Sequence, residues 1–142
     1  MKIMVMDGQG GGVGRSLVEA IHERYPEVEL VAVGTNATAT ANMMKGGTSL
    51  GATGENAVVC NARRADVIVG PIGIVLADAM LGEITPKMAY AVSSADVPTF
   101  LIPMGKCSVQ IAGTGNRRLG DYIREVVEKI AGQNCECSDG AE

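Results

Sequence analysis

The stretch DGQGGGVGRSLVEAI, residues 7–21, decides how this chain is read. It follows a short apolar run, KIMVM (2–6), bounded by Asp7 and glycine, which predicts a buried strand. From Val13 onward the apolar residues Val13, Leu17, Ile21 and Tyr25 recur every fourth position, with Arg15, Glu19, His22 and Glu23 between them. That spacing predicts an amphipathic helix, stopped at Pro26. Between strand and helix, five of the eight residues from Asp7 to Gly14 are glycine. The unit is strand, glycine loop, helix, and the rest of the chain repeats its rhythm.

ELVAVG (29–34) is a second strand. Ala37 to Lys45 follows as a helix with Asn36 as its N-cap and Gly46-Gly47 as its stop. Residues 46–57, GGTSLGATGENA, read as a polar glycine-rich loop, and Val58 to Cys60 as a short extended piece. Val67 to Val69 is a strand ending in the turn Gly70-Pro71-Ile72-Gly73, and a helix is expected from Pro71 to Leu81. Thr85-Pro86 opens another helix, with threonine as N-cap and proline in the first turn. VPTFLIP (97–103) is a strand, SVQIA (108–112) reads as one more, and Leu119 to Ala131 forms a last amphipathic helix with Gly132 past its end. Strands that are apolar throughout, separated by helix-length segments, imply a parallel sheet covered on both faces. The expected fold is α/β: a single-domain three-layer α/β/α sandwich over residues 1–132, its sheet mostly parallel and doubly wound, followed by a disordered acidic tail, 133–142.

Composition narrows the function. The chain has 142 residues, enough for one core but not for a nucleotide domain and a separate substrate domain. A net charge of −4 and 3% aromatic residues provide neither the basic footprint nor the stacking surface of a nucleic-acid binder. The longest apolar run, PIGIVLADAMLG (71–82), is too short to span a bilayer and carries Asp78. No basic flank or cleavage site follows Met1, so a cytoplasmic protein is expected. Cys60 and Cys107 lie in apolar contexts and read as small core residues. Cys135 and Cys137 lack a second pair at zinc-type spacing, and the one histidine, His22, is far away, so no metal site is expected.

The glycine loop carries the chemistry. A phosphate reaches the amides at a helix N-terminus only where no Cβ stands in the way. Gly10, Gly11 and Gly12 supply bare backbone, and Gly14 lets helix and strand pack closely. In the spacing G-x-G-x-x-G the first position falls on Gln9. The spacing G-x-x-x-G-x-G fits Gly8, Gly12 and Gly14, and resembles the nucleotide loop of short-chain dehydrogenases. That resemblance covers the first strand–helix unit only. The dehydrogenase pattern Tyr-x-x-x-Lys is absent, since Tyr25, Tyr90 and Tyr122 are followed four residues later by Glu29, Ser94 and Val126. The acidic residue that binds ribose hydroxyls at the end of the second strand is also missing; Gly34-Thr35-Asn36 stand there.

The expected ligand site is therefore Gly8, Gln9, Gly10, Gly11, Gly12 and Val13, with Thr35 and Asn36 and the turn Gly70, Pro71, Ile72 and Gly73. Thr53, Glu55 and Asn56 are candidates for gripping a polar substrate. Three readings follow: a module binding a nucleotide, an NAD(P)-like dinucleotide or another phosphorylated ligand; a small enzyme completed by a dimer mate or partner, with Glu55 or Glu83 as acid or base; or an interaction protein whose glycines only turn the chain. The first is preferred. A homodimer is a further expectation, with Met43-Met44 and Met80 as candidates to face the partner, although core packing explains them as well.

Taken together, DGQGGGVG, VAVGTNATAT, GATGENAVV, VIVGPIGI and MLGEITP resemble a family of short bacterial proteins grouped as a domain of unknown function. The resemblance covers nearly all of residues 1–131 and implies a Rossmann-like fold. It brings no activity with it.

Overall fold

The computed structural model describes residues 1–105 and 108–139. Five strands, β1 (Lys2–Asp7), β2 (Glu29–Gly34), β3 (Leu50–Thr53), β4 (Val67–Pro71) and β5 (Thr99–Ile102), form one parallel sheet in the order β3-β2-β1-β4-β5. This is the doubly wound order of Rossmann-type sheets. Among the described residues five helices cover it: α1 (Gly12–Arg24), α2 (Ala37–Met44), α3 (Glu55–Arg64), α4 (Pro86–Ser93) and α5 (Leu119–Asp139). The three-layer α/β/α sandwich expected from the sequence is the observed fold.

Strand alternation divides the core in two. Ile3 and Val5 of β1 point to one face, where they meet Leu17 and Ile21 of α1, Met43 of α2 and Ile130 of α5. Met4 and Met6 point to the other, against Val58 and Ala62 of α3 and Met88 and Val92 of α4. Each such side chain, buried rather than exposed, contributes about 1.5–3 kcal/mol, so these two clusters hold the layers together. Tyr25, just after α1, donates its hydroxyl to the Val127 carbonyl at 2.6 Å and ties α5 to α1.

Several sequence expectations are corrected. Residues 46–57 are not one loop: they contain β3, paired with Val31–Gly34, and the start of α3. Val58 to Cys60 is helical, because Val58, Val59 and Ala62 together bury one face of α3. Glu55 in its first turn and Arg63 and Arg64 in its last complement the helix dipole. Cys60 is half-buried rather than enclosed. No helix spans 71–81. A 3-10 turn, Ile72–Val75, gives way to a strap in which Asp78, Met80 and Leu81 take left-handed φ of 65°, 57° and 57°. Residues 72–77 are apolar or glycine throughout, so no helix face is marked, and burial of both Ile74 and Ile84 sets the path of the run. Residues 108–112 pair with no strand and are exposed; among the described residues the sheet ends at β5. α5 continues past Gly132, a position that costs a helix about 1 kcal/mol without forbidding it. The readings of Cys107, and of the Cys135 and Cys137 side chains, lie outside the described residues. Among the described residues no helix is long and apolar enough to cross a membrane.

Candidate functional site

β1 leads leftward to β2 and β4 leads rightward to β5, so the loops after β1 and β4 part from each other at their carboxyl ends. A crevice of about 880 Å³ opens there. Its floor and walls are Asp7 to Val13 from the first loop, Pro71 to Gly73 from the second, and the strap from Val75 to Leu81. Met104, Ser108 and Val109 close its far side. A crevice of this size at a topological switch point is where open α/β sheets take ligands.

The glycines of the first loop divide into two kinds. A Cβ on Gly8 would stand 2.6 Å from Met80 Sδ, one on Gly11 2.7 Å from the Ala39 carbonyl, and one on Gly14 2.5 Å from Met43 Sδ. Gly11 is also left-handed, at φ 73°. The fold itself requires glycine at these three positions. Gly10 and Gly12 differ: both are exposed, neither has positive φ, and a Cβ on either would meet nothing within 4 Å. Among the described residues the amides of Gly10, Gly12 and Val13 meet no acceptor. Those of Gly12 and Val13 are donors of the first helical turn that a helix leaves unpaired, and that of Gly10 lies just before the helix cap, Gly11.

Behind the loop lies Asp7, the last residue of β1 and 5% exposed. Its Oδ1 accepts the Gly8 amide at 2.7 Å and its Oδ2 the Gly14 amide at 2.7 Å. It thus fixes the loop from strand to helix and caps α1 from inside. Burial pushes its carboxyl above the ordinary range, against the downward pull of the Gly14 and Gly8 amides, and Glu83 adds an upward push. The sequence reading missed Asp7, although a polar residue closing a buried apolar strand at the loop was visible.

Glu83, by sequence a candidate acid or base, is instead a hydrogen-bond acceptor between the β2–α2 junction and the glycine loop. Its Oε1 accepts from the Gln9 amide at 3.0 Å, Thr35 Oγ1 at 2.7 Å and Asn36 Nδ2 at 2.6 Å. Partial burial raises its pKa, but the hydrogen bonds from Thr35, Asn36 and Gln9 outweigh that and hold it below the ordinary value. A carboxylate held ionised in this way is poorly suited to deliver a proton near neutral pH.

The structure brings Gly8 to Val13 and Pro71 to Gly73 together around the crevice. Gly70 does not line it; a Cβ there would collide with the Met6 carbonyl, so this glycine serves the packing of β4 on β1. Thr35 and Asn36 lie beside the glycine loop but outside the crevice lining: both donate to Glu83, and Asn36 also donates to the Gln9 carbonyl at 2.9 Å. Asn36 also caps α2 through the Ala39 amide. Thr53, Glu55 and Asn56 are apart from the crevice, at the β3–α3 junction, where Thr53 pairs with Thr40. Met43 is core, Met44 packs against that core, and Met80 covers Gly8. Among the described residues no group of three or more His, Cys, Asp or Glu is placed to hold a metal.

Residues 2–134 match the family described as a domain of unknown function, DUF3842. The chain belongs to that family. No curated protein matches the DUF3842 chain. Among solved structures it is similar to a dodecameric FMN-dependent Ubix-like decarboxylase from Escherichia coli O157:H7. That match has 19% identity over 94% of each chain and a TM-score of 0.49.

Proposed function

We propose that this chain is a binding module for a nucleotide or another small phosphorylated ligand, held in the crevice between the β1 and β4 loops. The observation that carries this reading is the contrast within the loop. Gly10 and Gly12 stand where the protein has room for a side chain, directly in front of unpaired amides. Bare backbone there serves a group that approaches from outside, and a phosphate is the group such amides suit. Among the described residues no lysine or arginine lines the crevice, and the loop amides are the donors placed for the phosphate. The apolar strap would cover the remainder of the ligand. Glu55, outside the crevice lining, and Glu83, held ionised by three donors, give little support to an acid–base role.

The test is a thermal-shift panel with NAD(H), NADP(H), FAD, FMN, ATP, GTP, CoA and S-adenosylmethionine, repeated on Gly12→Val. A ligand at a hundred times its Kd stabilises the native state by about 2.7 kcal/mol, a shift of several degrees. The expected result is a shift in the wild type that Gly12→Val abolishes while its own unfolding midpoint stays near the wild-type one. Equal shifts in both proteins would remove the phosphate from this loop.

A further inference from the structure

The polar groups at the end of β2 are already occupied by the protein itself. In a dinucleotide-binding sheet the second nucleotide's ribose rests there, between the glycine loop and the start of the second helix. Here that place holds the Glu83 carboxylate, which takes the Gln9 amide, the Thr35 hydroxyl and the Asn36 amide group on one oxygen. The route to it from the crevice crosses Gly8, and Met80 lies directly on Gly8.

The strap that brings both residues is closed on itself. Asp78 donates to the Ile84 carbonyl at 2.7 Å, Ile84 donates back to Ala79 at 3.2 Å, and the Ile84 side chain is fully buried. Three non-glycine residues in left-handed conformation persist only where the surroundings fix them, so the strap is held in place rather than draped. The crevice is correspondingly one-sided. The β1 and β4 loops, the strap and, on the far side, Met104, Ser108 and Val109 line it, and neither Thr35, Asn36 nor Glu83 does.

Building on the proposed phosphate site, we propose that the ligand is of the mononucleotide class. One phosphate sits at Gly10, Gly12 and Val13, one ring system lies along the strap, and Glu83 with Met80 excludes the second half of a dinucleotide. Glu83 is then a specificity-determining residue.

The test is calorimetric titration of the full chain with matched pairs: FMN against FAD, and nicotinamide mononucleotide against NAD. The wild type should bind the mononucleotide of at least one pair tenfold or more tightly than its dinucleotide. Glu83→Ala should narrow that gap by raising the dinucleotide's affinity; the isosteric Glu83→Gln, which keeps an acceptor oxygen, should preserve it and serves as the control for folding. A wild type that binds a dinucleotide as tightly as its mononucleotide, with Glu83→Ala weakening it, would make Glu83 a ribose acceptor and overturn the inference while leaving the phosphate site standing. Silence from both members of both pairs, in wild type and both variants, would overturn the mononucleotide assignment; silence across the wider panel as well would overturn the phosphate site beneath it.

Discussion

Asn36 Nδ2 and Glu83 Oε1 stand 2.6 Å apart although 47 residues separate them in the chain. One belongs to the junction of β2 and α2, the other to the strap after β4. Their contact joins the two halves of the doubly wound sheet across its carboxyl edge. It also supplies a carboxylate at the end of β2, where the local sequence, Gly34-Thr35-Asn36, has none.

This contact has a defined pH dependence. Glu83 is held below its ordinary value of 4.5, so the stability it contributes is present above that value and is lost as pH falls through the lower, folded value. Glu83→Gln removes that ionisation. In denaturant titrations the wild type should lose stability relative to Glu83→Gln below about pH 4.5, with the difference constant from pH 6 to 8. A wild-type advantage over Glu83→Gln that instead grew as pH fell below about 4.5 would contradict the assignment.

Asp7 has the opposite sign. Its folded value is raised above the ordinary 3.8, chiefly by burial, so its favourable contribution is fully present below that value and is lost as pH rises through the folded one. Asp7→Asn keeps only one carbonyl oxygen for the two amides of Gly8 and Gly14. An unsatisfied buried donor costs about 1–3 kcal/mol. The stability advantage of the wild type over Asp7→Asn should therefore shrink as pH rises from 4 to 8. Chemical denaturation at fixed pH steps checks both the loss and its slope.

The glycines should separate by stability alone. Gly11→Ala forces a Cβ against the Ala39 backbone at a left-handed φ, and Gly14→Ala forces one between Met43 and Asp7. Each should cost about 1–3 kcal/mol or more, as strained or overpacked sites do. Gly10→Ala should lie within about 0.5 kcal/mol of the wild type, or gain slightly from a less flexible unfolded chain. If Gly10→Ala proves as damaging as Gly11→Ala, the protein's own packing explains that glycine and the case for an external group weakens.

Tyr25→Phe tests how α5 is held. The phenol reaches the Val127 carbonyl at 2.6 Å and the ring is buried. Removing the hydroxyl should cost about 0.5–1.5 kcal/mol and speed amide exchange in α5 before that of the sheet.

What the sequence makes legible follows the strength of its periodicity. β1, α1, β2 and β4 each carry a pattern with one reading, and their order predicts both the sheet and the site of its crevice. The strap is illegible for the same reason: every position from Ile72 to Ala77 is apolar or glycine, so no face is marked, and its path is set by the burial of Ile74 and Ile84. α3 is misread because Val58 and Val59 are β-branched, a local preference that burial of both, with Val58 packed in one core cluster with Met88 and Val92, overrides. Glu83 is a long-range feature. Nothing within a few residues of MLGEITP says that its carboxylate meets Gln9 and Asn36. Asp7, by contrast, stands beside the glycines, and a charged residue ending a buried strand deserved the question of which donors it meets.

The central claim is that a phosphate rests on the amides of Gly10, Gly12 and Val13. Amide chemical-shift mapping of the 15N-labelled chain during titration with FMN and with AMP tests it most directly. The account predicts the largest shifts at those three amides and smaller ones along Val75 to Leu81. Largest shifts at Thr53 to Asn56, or none anywhere at millimolar nucleotide, would contradict it.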